Sequence, residues 1–328
     1  MIVSRSPLRL SIGGGGTDLP FYYSEEGGYL VTATMDKYVY CIVKERFEKD
    51  LRISYSENEE VGSIEEIEND RARTVLERAD LKEHLEVVTI ADAPSGSGLG
   101  SSGAFTVGLL NATSNYLGDQ VSNKELAEDA FDIEHNELGY PCGKQDQYAA
   151  AFGGIVLLEI DENGNTTVSP LDISSDTVDK LERNIQLFYT GQLRDSTEIL
   201  EEQKNQVVSN EDKMEKMRRI KAIGKDIKEA LENDEPDEFG RLLHRHWSTK
   251  KKFTEKMSNP EIDKAYERAR DLGALGGKIM GAGGGGFFMF YVDENRNEFR
   301  EKMEEFGLRY MEFGFDWDGT QVIYNGLS

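Results

Sequence analysis

Apolar residues in the first third of the chain alternate with polar ones or gather in short runs bounded by turn residues. The segments 2–12, 29–34, 38–47, 51–55 and Leu85–Ala91 are therefore expected to be strands. The spacing then changes to three and four, which predicts helices over 102–117 and 122–138. Ser122, with Glu125 three positions on, fits an N-terminal capping box. Strands are expected again at 154–160, 166–171 and 185–190, followed by helices at 196–208, 212–233 and 237–253. The last stretch reads as a helix (260–272), a glycine-rich strand pair (276–292) in which Phe287, Phe288, Met289 and Phe290 are buried, a helix (294–306) and closing strands. This order is α+β rather than strictly alternating. Polar interruptions between residues 161 and 180 suggest a division into 1–172 and 173–328.

A chain of 328 residues with 38% hydrophobic residues has material for a sizeable core. Its net charge of −24 repels nucleic-acid phosphates and anionic lipid, so neither partner is expected. An anionic ligand would need a local cluster of backbone N–H groups and a few basic side chains. No apolar run is long enough for a spanning helix, and the first residues lack the pattern of a secretory signal. Cys41 and Cys142 have no metal or redox spacing and fit a reducing cytoplasm. The sequence leaves a homodimer open.

Candidate chemistry lies at three glycine-rich stations. The first, SPLRLSIGGGGTDLP, runs from a strand into four glycines and then Thr17 and Asp18. Arg9 is aimed into the same place, and Asp18 suits a substrate hydroxyl as well as it suits a turn cap. The second, APSGSGLGSSGAF, lies between a strand and a helix. Its glycines at 96, 98, 100 and 103 let backbone N–H groups converge on an anion where the helix begins. Ser101 and Ser102 add hydroxyls for a phosphate oxygen or a divalent cation. The string also satisfies G-x-G-x-x-G, but a helix rather than a second parallel strand follows, so the dinucleotide fold is not expected. No Walker sequence is present. The third station, GGKIMGAGGGGFF, reads as either a sheet bulge or a ligand loop. Between the stations, Glu134 and Asp146 suit the two carboxylates that phosphoryl transfer needs, one for magnesium and one near the attacking hydroxyl, but in a chain with 62 acidic residues their spacing fits two solvated acids as well.

With the stations in this order and the segment GKQDQYAAAFGG, the chain resembles the GHMP small-molecule kinases over nearly its whole length, especially the heptose 7-phosphate and fucose kinase branch. The resemblance implies a two-domain fold, with an N-terminal domain like the second domain of ribosomal protein S5 and a ferredoxin-like C-terminal domain. It implies ATP in the cleft, its phosphates wrapped by Pro94, Ser95, Gly96, Ser97, Gly98, Leu99, Gly100, Ser101, Ser102 and Gly103. Ser102 and Glu134 would hold Mg²⁺, Asp146 would be the catalytic aspartate, and Arg9 its basic companion. Gly15, Gly16, Thr17 and Asp18 would meet the substrate, with Gly283 and Gly284 shaping the floor. Galactose and mevalonate kinases usually carry Gly-Glu-His in the first motif, where this chain has Gly14, Gly15 and Gly16; that favours the heptose and fucose branch.

The reaction expected is transfer of the γ-phosphoryl group of ATP to a sugar or sugar-phosphate hydroxyl, foremost the anomeric hydroxyl of D-glycero-D-manno-heptose 7-phosphate. Fucose, galactose, mevalonate and homoserine stay open as acceptors, as does a non-catalytic binding protein on the same scaffold. For an acceptor already carrying a phosphate, Arg194 is the candidate cation, with Lys144 and Lys37 behind it. Lys250, Lys251 and Lys252 read as a solvated cluster at a helix end.

Overall fold

The computed structural model describes residues 1–192, 196–208 and 210–327. Two sheets organise them. The larger runs in the order Gln321–Asn325, Ile2–Gly13, Gly28–Glu45, Leu85–Ala91, Leu51–Ser54, Asn58–Val61. The other end of Gly28–Glu45 pairs with Ile155–Ile160, which in turn pairs with Thr166–Pro170. The pairing of Leu51–Ser54 with Leu85–Ala91 is parallel, and the other ladders of this sheet are antiparallel. The smaller sheet is antiparallel, in the order Arg309–Met311, Ile185–Tyr189, Phe287–Tyr291, Gly276–Ile279. The two sheets begin on either side of residues 172 and 173, but the last strand returns to the first sheet. The segment 173–328 is therefore not confined to the second sheet.

Two strands expected at 29–34 and 38–47 are one strand of 18 residues, Gly28–Glu45. Asp36 and Lys37 look like a turn in sequence. In the structure Leu8 pairs with Met35 while Pro7 pairs with Tyr38, so these two residues form an irregularity within a continuing ladder. The Asp36 N–H donates instead to Gly314 O at 2.8 Å. The helix expected over 122–138 is also modified. Ser122 and Glu125 form the capping box, but Asn123–Phe131 gives way to a π-helical turn, Asp132–Glu137, which buries Glu134. Helices at Pro20–Glu26, Asp70–Arg78, Gln145–Phe152 and Ser175–Asn184 and the short strand Asn58–Val61 were not legible from the pattern.

The helix Ser101–Leu117 lies on the strands Ile2–Gly13 and Gly28–Glu45 and is buried on nearly all sides through its middle. One hydrophobic cluster joins the larger sheet to residues of the second half, including Ile223, Ile227, Leu187 and Met289. In Phe287–Tyr291 alternate side chains serve two cores. Phe287, Met289 and Tyr291 join that cluster, and Phe288 and Phe290 pack with Trp247, Tyr266 and Phe299 on the opposite face. The strand and its flanking glycines are thereby held against the larger sheet, where the site forms.

Candidate active site

The three glycine-rich stations, far apart in sequence, line one cleft. Its walls include Arg9, Ser11, Gly15, Gly16 and Asp18 from the first station, Gly96, Gly98, Gly100, Ser101 and Ser102 from the second, and Met280, Gly281, Gly283 and Gly285 from the third. Glu134 and Asp146 face the same space.

The second station is held on two sides. The Arg9 N–H donates to Leu99 O at 2.9 Å and the Arg9 guanidinium to Gly98 O, while the Phe287 N–H donates to Ser97 O at 3.1 Å. Gly98 has φ +82°, and a Cβ there would lie 2.6 Å from Met280 O. At Gly100, with φ +77°, a Cβ would lie 2.9 Å from Arg9 Cγ and 3.3 Å from Asp146 Cγ. Both positions need glycine for conformation and for space. Gly100 caps the helix Ser101–Leu117 with no side-chain hydrogen bond, so the first-turn N–H groups stay available to an anion. Pro94 and Ser95 lie on the exposed outer side of the loop, and Ser97 and Leu99 are buried beneath it. Only part of 94–103 therefore faces the cleft.

The carboxylates are placed differently from one another. Asp146 stands in the first turn of Gln145–Phe152 and accepts from Arg9 Nε at 2.7 Å; it is the more exposed partner of that pair. Glu134 is 2% exposed. Its Oε1 accepts from Thr106 Oγ1 at 2.6 Å and Arg71 Nε at 2.9 Å, and its Oε2 from Gln147 Nε2 at 2.6 Å. Asp18 accepts from the N–H groups of Gly16 and Gln145 at 3.1 and 3.0 Å. Burial raises the Asp18 pKa, opposed by the Gln145 N–H and reinforced by the charge of Asp146. In the cleft wall, Gln145 Nε2 and Gln147 Oε1 are buried and have no hydrogen-bond partner among the described residues, which leaves a donor and an acceptor for a ligand.

Some expected residues stand elsewhere. Thr17 is buried and ties Gly14 O to the backbone of Tyr29 rather than facing the cleft. Gly284 is not among the lining residues; its N–H donates to Met257 O. Arg194 lies outside the described residues. Neither understudy reaches the site: Lys144 is buried against Glu128 and Gly164 O, and Lys37 pairs with the neighbouring Asp36.

Two cations come as additions. Arg71, on the helix Asp70–Arg78, lines the cleft, pairs with Glu134 and lies 4.2 Å from the Tyr140 ring centre. Lys250 corrects the expectation of a solvated cluster. Lys251 and Lys252 are exposed, but Lys250 is only 6% exposed, lines the cleft and donates to Gly281 O at 2.7 Å. Its helix, Pro236–Lys250, packs against the strand Gly276–Ile279, and that tertiary contact turns the last residue inward. No local sequence signal separates Lys250 from its two neighbours. A chain of charge −24 thus sets Arg9, Arg71 and Lys250 against Asp18, Glu134 and Asp146 in one cleft, where the formal charges balance and an anion meets local cations despite the acidity of the whole.

Comparison with known proteins agrees with this geometry. The GHMP kinases N terminal domain family matches residues 69–154, and the GHMP kinases C terminal family matches 227–308. The chain is 33% identical to the D-glycero-alpha-D-manno-heptose 7-phosphate kinase of Campylobacter jejuni over 98% of both chains. It is 25% identical to the bifunctional fucokinase/GDP-fucose pyrophosphorylase of Arabidopsis thaliana, over 91% of this chain and 31% of that one. Among solved structures, a D-glycero-D-manno-heptose 1-phosphate kinase from Bacteroides thetaiotaomicron superposes with a TM-score of 0.82 at 30% identity, covering 99% of this chain and 100% of that one. Family matches in both halves of the chain and full-length similarity at this level lead to one assignment: the chain belongs to the GHMP kinases, a family of ATP-dependent small-molecule kinases.

Proposed function

We propose that the protein transfers the γ-phosphoryl group of ATP to the anomeric hydroxyl of D-glycero-D-manno-heptose 7-phosphate. The observation that carries this reading is the meeting, in one cleft, of an uncapped helix N-terminus behind a glycine loop with the Arg9–Asp146 pair. Full-length similarity to a heptose 7-phosphate kinase supports the acceptor.

Phosphoryl transfer asks a protein chiefly to align two reactants and to neutralise charge. The N–H groups at the start of Ser101–Leu117 hold the nucleotide phosphates, with Ser101 beside them. Asp146 accepts or orients the proton of the attacking hydroxyl. Arg9 holds that carboxylate in place through its ion pair and meets charge passing from donor to acceptor. Asp18 accepts from another hydroxyl of the sugar.

The residues also suit Mg²⁺, which takes hard oxygen ligands and completes its shell with water and phosphate. Among the described residues, Gln147 Oε1 is a buried oxygen without a partner beside Glu134, and Glu134 Oε2 accepts a single hydrogen bond, from Gln147. Ser102, Glu134 and Gln147 would hold the ion. It would supply charge neutralisation on the nucleotide phosphates.

An acceptor panel under Mg-ATP tests the proposal: heptose 7-phosphate, unphosphorylated heptose, fucose, galactose, mannose, mevalonate and homoserine, with ADP release and ³¹P NMR of the product. Preference for heptose 7-phosphate with a new anomeric phosphate signal is expected. Preference for fucose, galactose or a non-sugar alcohol overturns the choice of acceptor, and no ADP release with any of them overturns the reaction.

A further inference from the structure

Lys250 is the least compensated charge in the cleft wall. It is 6% exposed, and among the described residues its Nζ donates one hydrogen bond, to Gly281 O at 2.7 Å. An ammonium carries three donors. No carboxylate lies within ion-pair distance of it among the described residues; Asp18 acts on it only at longer range. The groups around it are mostly cationic. Arg9 acts on Lys250, Arg9 and Lys250 both act on Lys278, and the fully buried His246 feels both lysines. Lys278 is itself engaged with Ser11 O at 2.7 Å, and Arg9 with Asp146 and Gly98 O. A desolvated cation without a partner is costly, and a ligand anion that completes it recovers the cost.

Position narrows the anion. The helix Pro236–Lys250 delivers the ammonium to the third glycine station, on the Arg9 and Asp18 side, whereas Arg71 is bound to Glu134. We propose that Lys250 is a phosphate-binding residue of the acceptor half of the cleft, its two remaining N–H groups engaging phosphoryl oxygens beside Arg9. The inference rests on the kinase reading and deepens it. It assigns to Lys250 the cationic role that Lys144 and Lys37, engaged outside the cleft lining, do not fill. The phosphate is either the one carried by the acceptor or the phosphoryl group in transit; both present the same oxygens.

Lys250→Met and Lys250→Arg, compared with wild type, decide the matter. Without ligand, Lys250→Met should melt at or above the wild-type temperature, because an unpaired buried charge is gone. The rise in melting temperature produced by inorganic tripolyphosphate should shrink in Lys250→Met and partly return in Lys250→Arg. In turnover, Lys250→Met should lose about tenfold or more, the size of a lost charge-assisted hydrogen bond. If the loss is in KM for heptose 7-phosphate and vanishes with unphosphorylated heptose, the acceptor's phosphate is the partner. If kcat falls equally for both acceptors, the partner is the phosphoryl group in transit. A lowered melting temperature with an unchanged tripolyphosphate effect would mark Lys250 as a strut for Gly281 and overturn the proposal, as would unchanged kinetics. Should wild type phosphorylate no heptose, the choice of substrate fails while the tripolyphosphate comparison still tests Lys250.

Discussion

Arg9 Nε donates to Asp146 Oδ1 at 2.7 Å across 137 positions of sequence, and the same guanidinium donates to Gly98 O. One side chain therefore links the carboxylate proposed to meet the acceptor hydroxyl to the loop proposed to hold the nucleotide phosphates. A planar fork can serve both at once, whereas a lysine ammonium in the same place cannot keep both geometries. Arg9→Lys should accordingly lower kcat by about ten- to a hundredfold and raise KM for ATP. Steady-state kinetics with both substrates varied would check this, and a change in kcat alone would separate the two functions.

The loop needs Gly98 for conformation and for clearance from Met280 O. Gly98→Ala should raise KM for ATP and lower the melting temperature, since a left-handed alanine costs roughly 1–2 kcal/mol before the clash is added. Gly118→Ala is the control: φ is +84° there, but a Cβ would meet nothing within 4 Å. It should cost stability and leave KM unchanged. Parallel melting and kinetic measurements on the two variants test whether clearance in the loop, rather than backbone strain alone, controls nucleotide binding.

Glu134→Gln keeps the side-chain shape and removes the charge that Arg71 and a cation would share. Affinity for Mg-ADP should fall about 10–100-fold, as for other losses around a metal site, while metal-free ADP binds as in wild type. Calorimetric titration with and without Mg²⁺ measures both. An equal loss in the two titrations would remove Glu134 from the metal site.

The pH dependence of stability gives a separate reading of Lys250. Burial, and next the charge of Arg9, push its pKa from 10.5 down to about 8, against the pull of Asp18. Between those values the unfolded chain holds a proton that the folded one has released, so this group makes stability rise with pH. The advantage of Lys250→Met over wild type should therefore shrink as pH rises from about 8 to 10.5. Arg9, Lys278, His246 and Asp18 are present in both proteins, so their own titrations largely cancel in the difference. Urea denaturation across that window would show it, and a gap that widens with pH would contradict it.

The parts of the site that sequence made legible are local ones. A strand, a run of glycines and serines, and a helix follow one another within 85–117, and each piece signals itself through its neighbours. The capping box at Ser122 and Glu125 is equally local. What stayed hidden depends on contacts between distant segments. Arg71 belongs to a short helix missed by periodicity, and its role exists only because the π-turn brings Glu134 to it. Lys250 differs from Lys251 by facing a strand that begins at Gly276, which a row of three lysines does not reveal. The continuous strand Gly28–Glu45 reads in sequence as two because Asp36 and Lys37, polar residues in a ladder irregularity, resemble a turn.

In the proposed mechanism Asp146 handles the proton of the attacking hydroxyl while the glycine loop holds the nucleotide independently. Single-turnover phosphoryl transfer by Asp146→Asn, measured beside its affinity for ADP, tests it most directly. A fall of about 10²–10⁴ in the transfer rate with ADP affinity unchanged is predicted. Transfer at close to the wild-type rate would contradict the account.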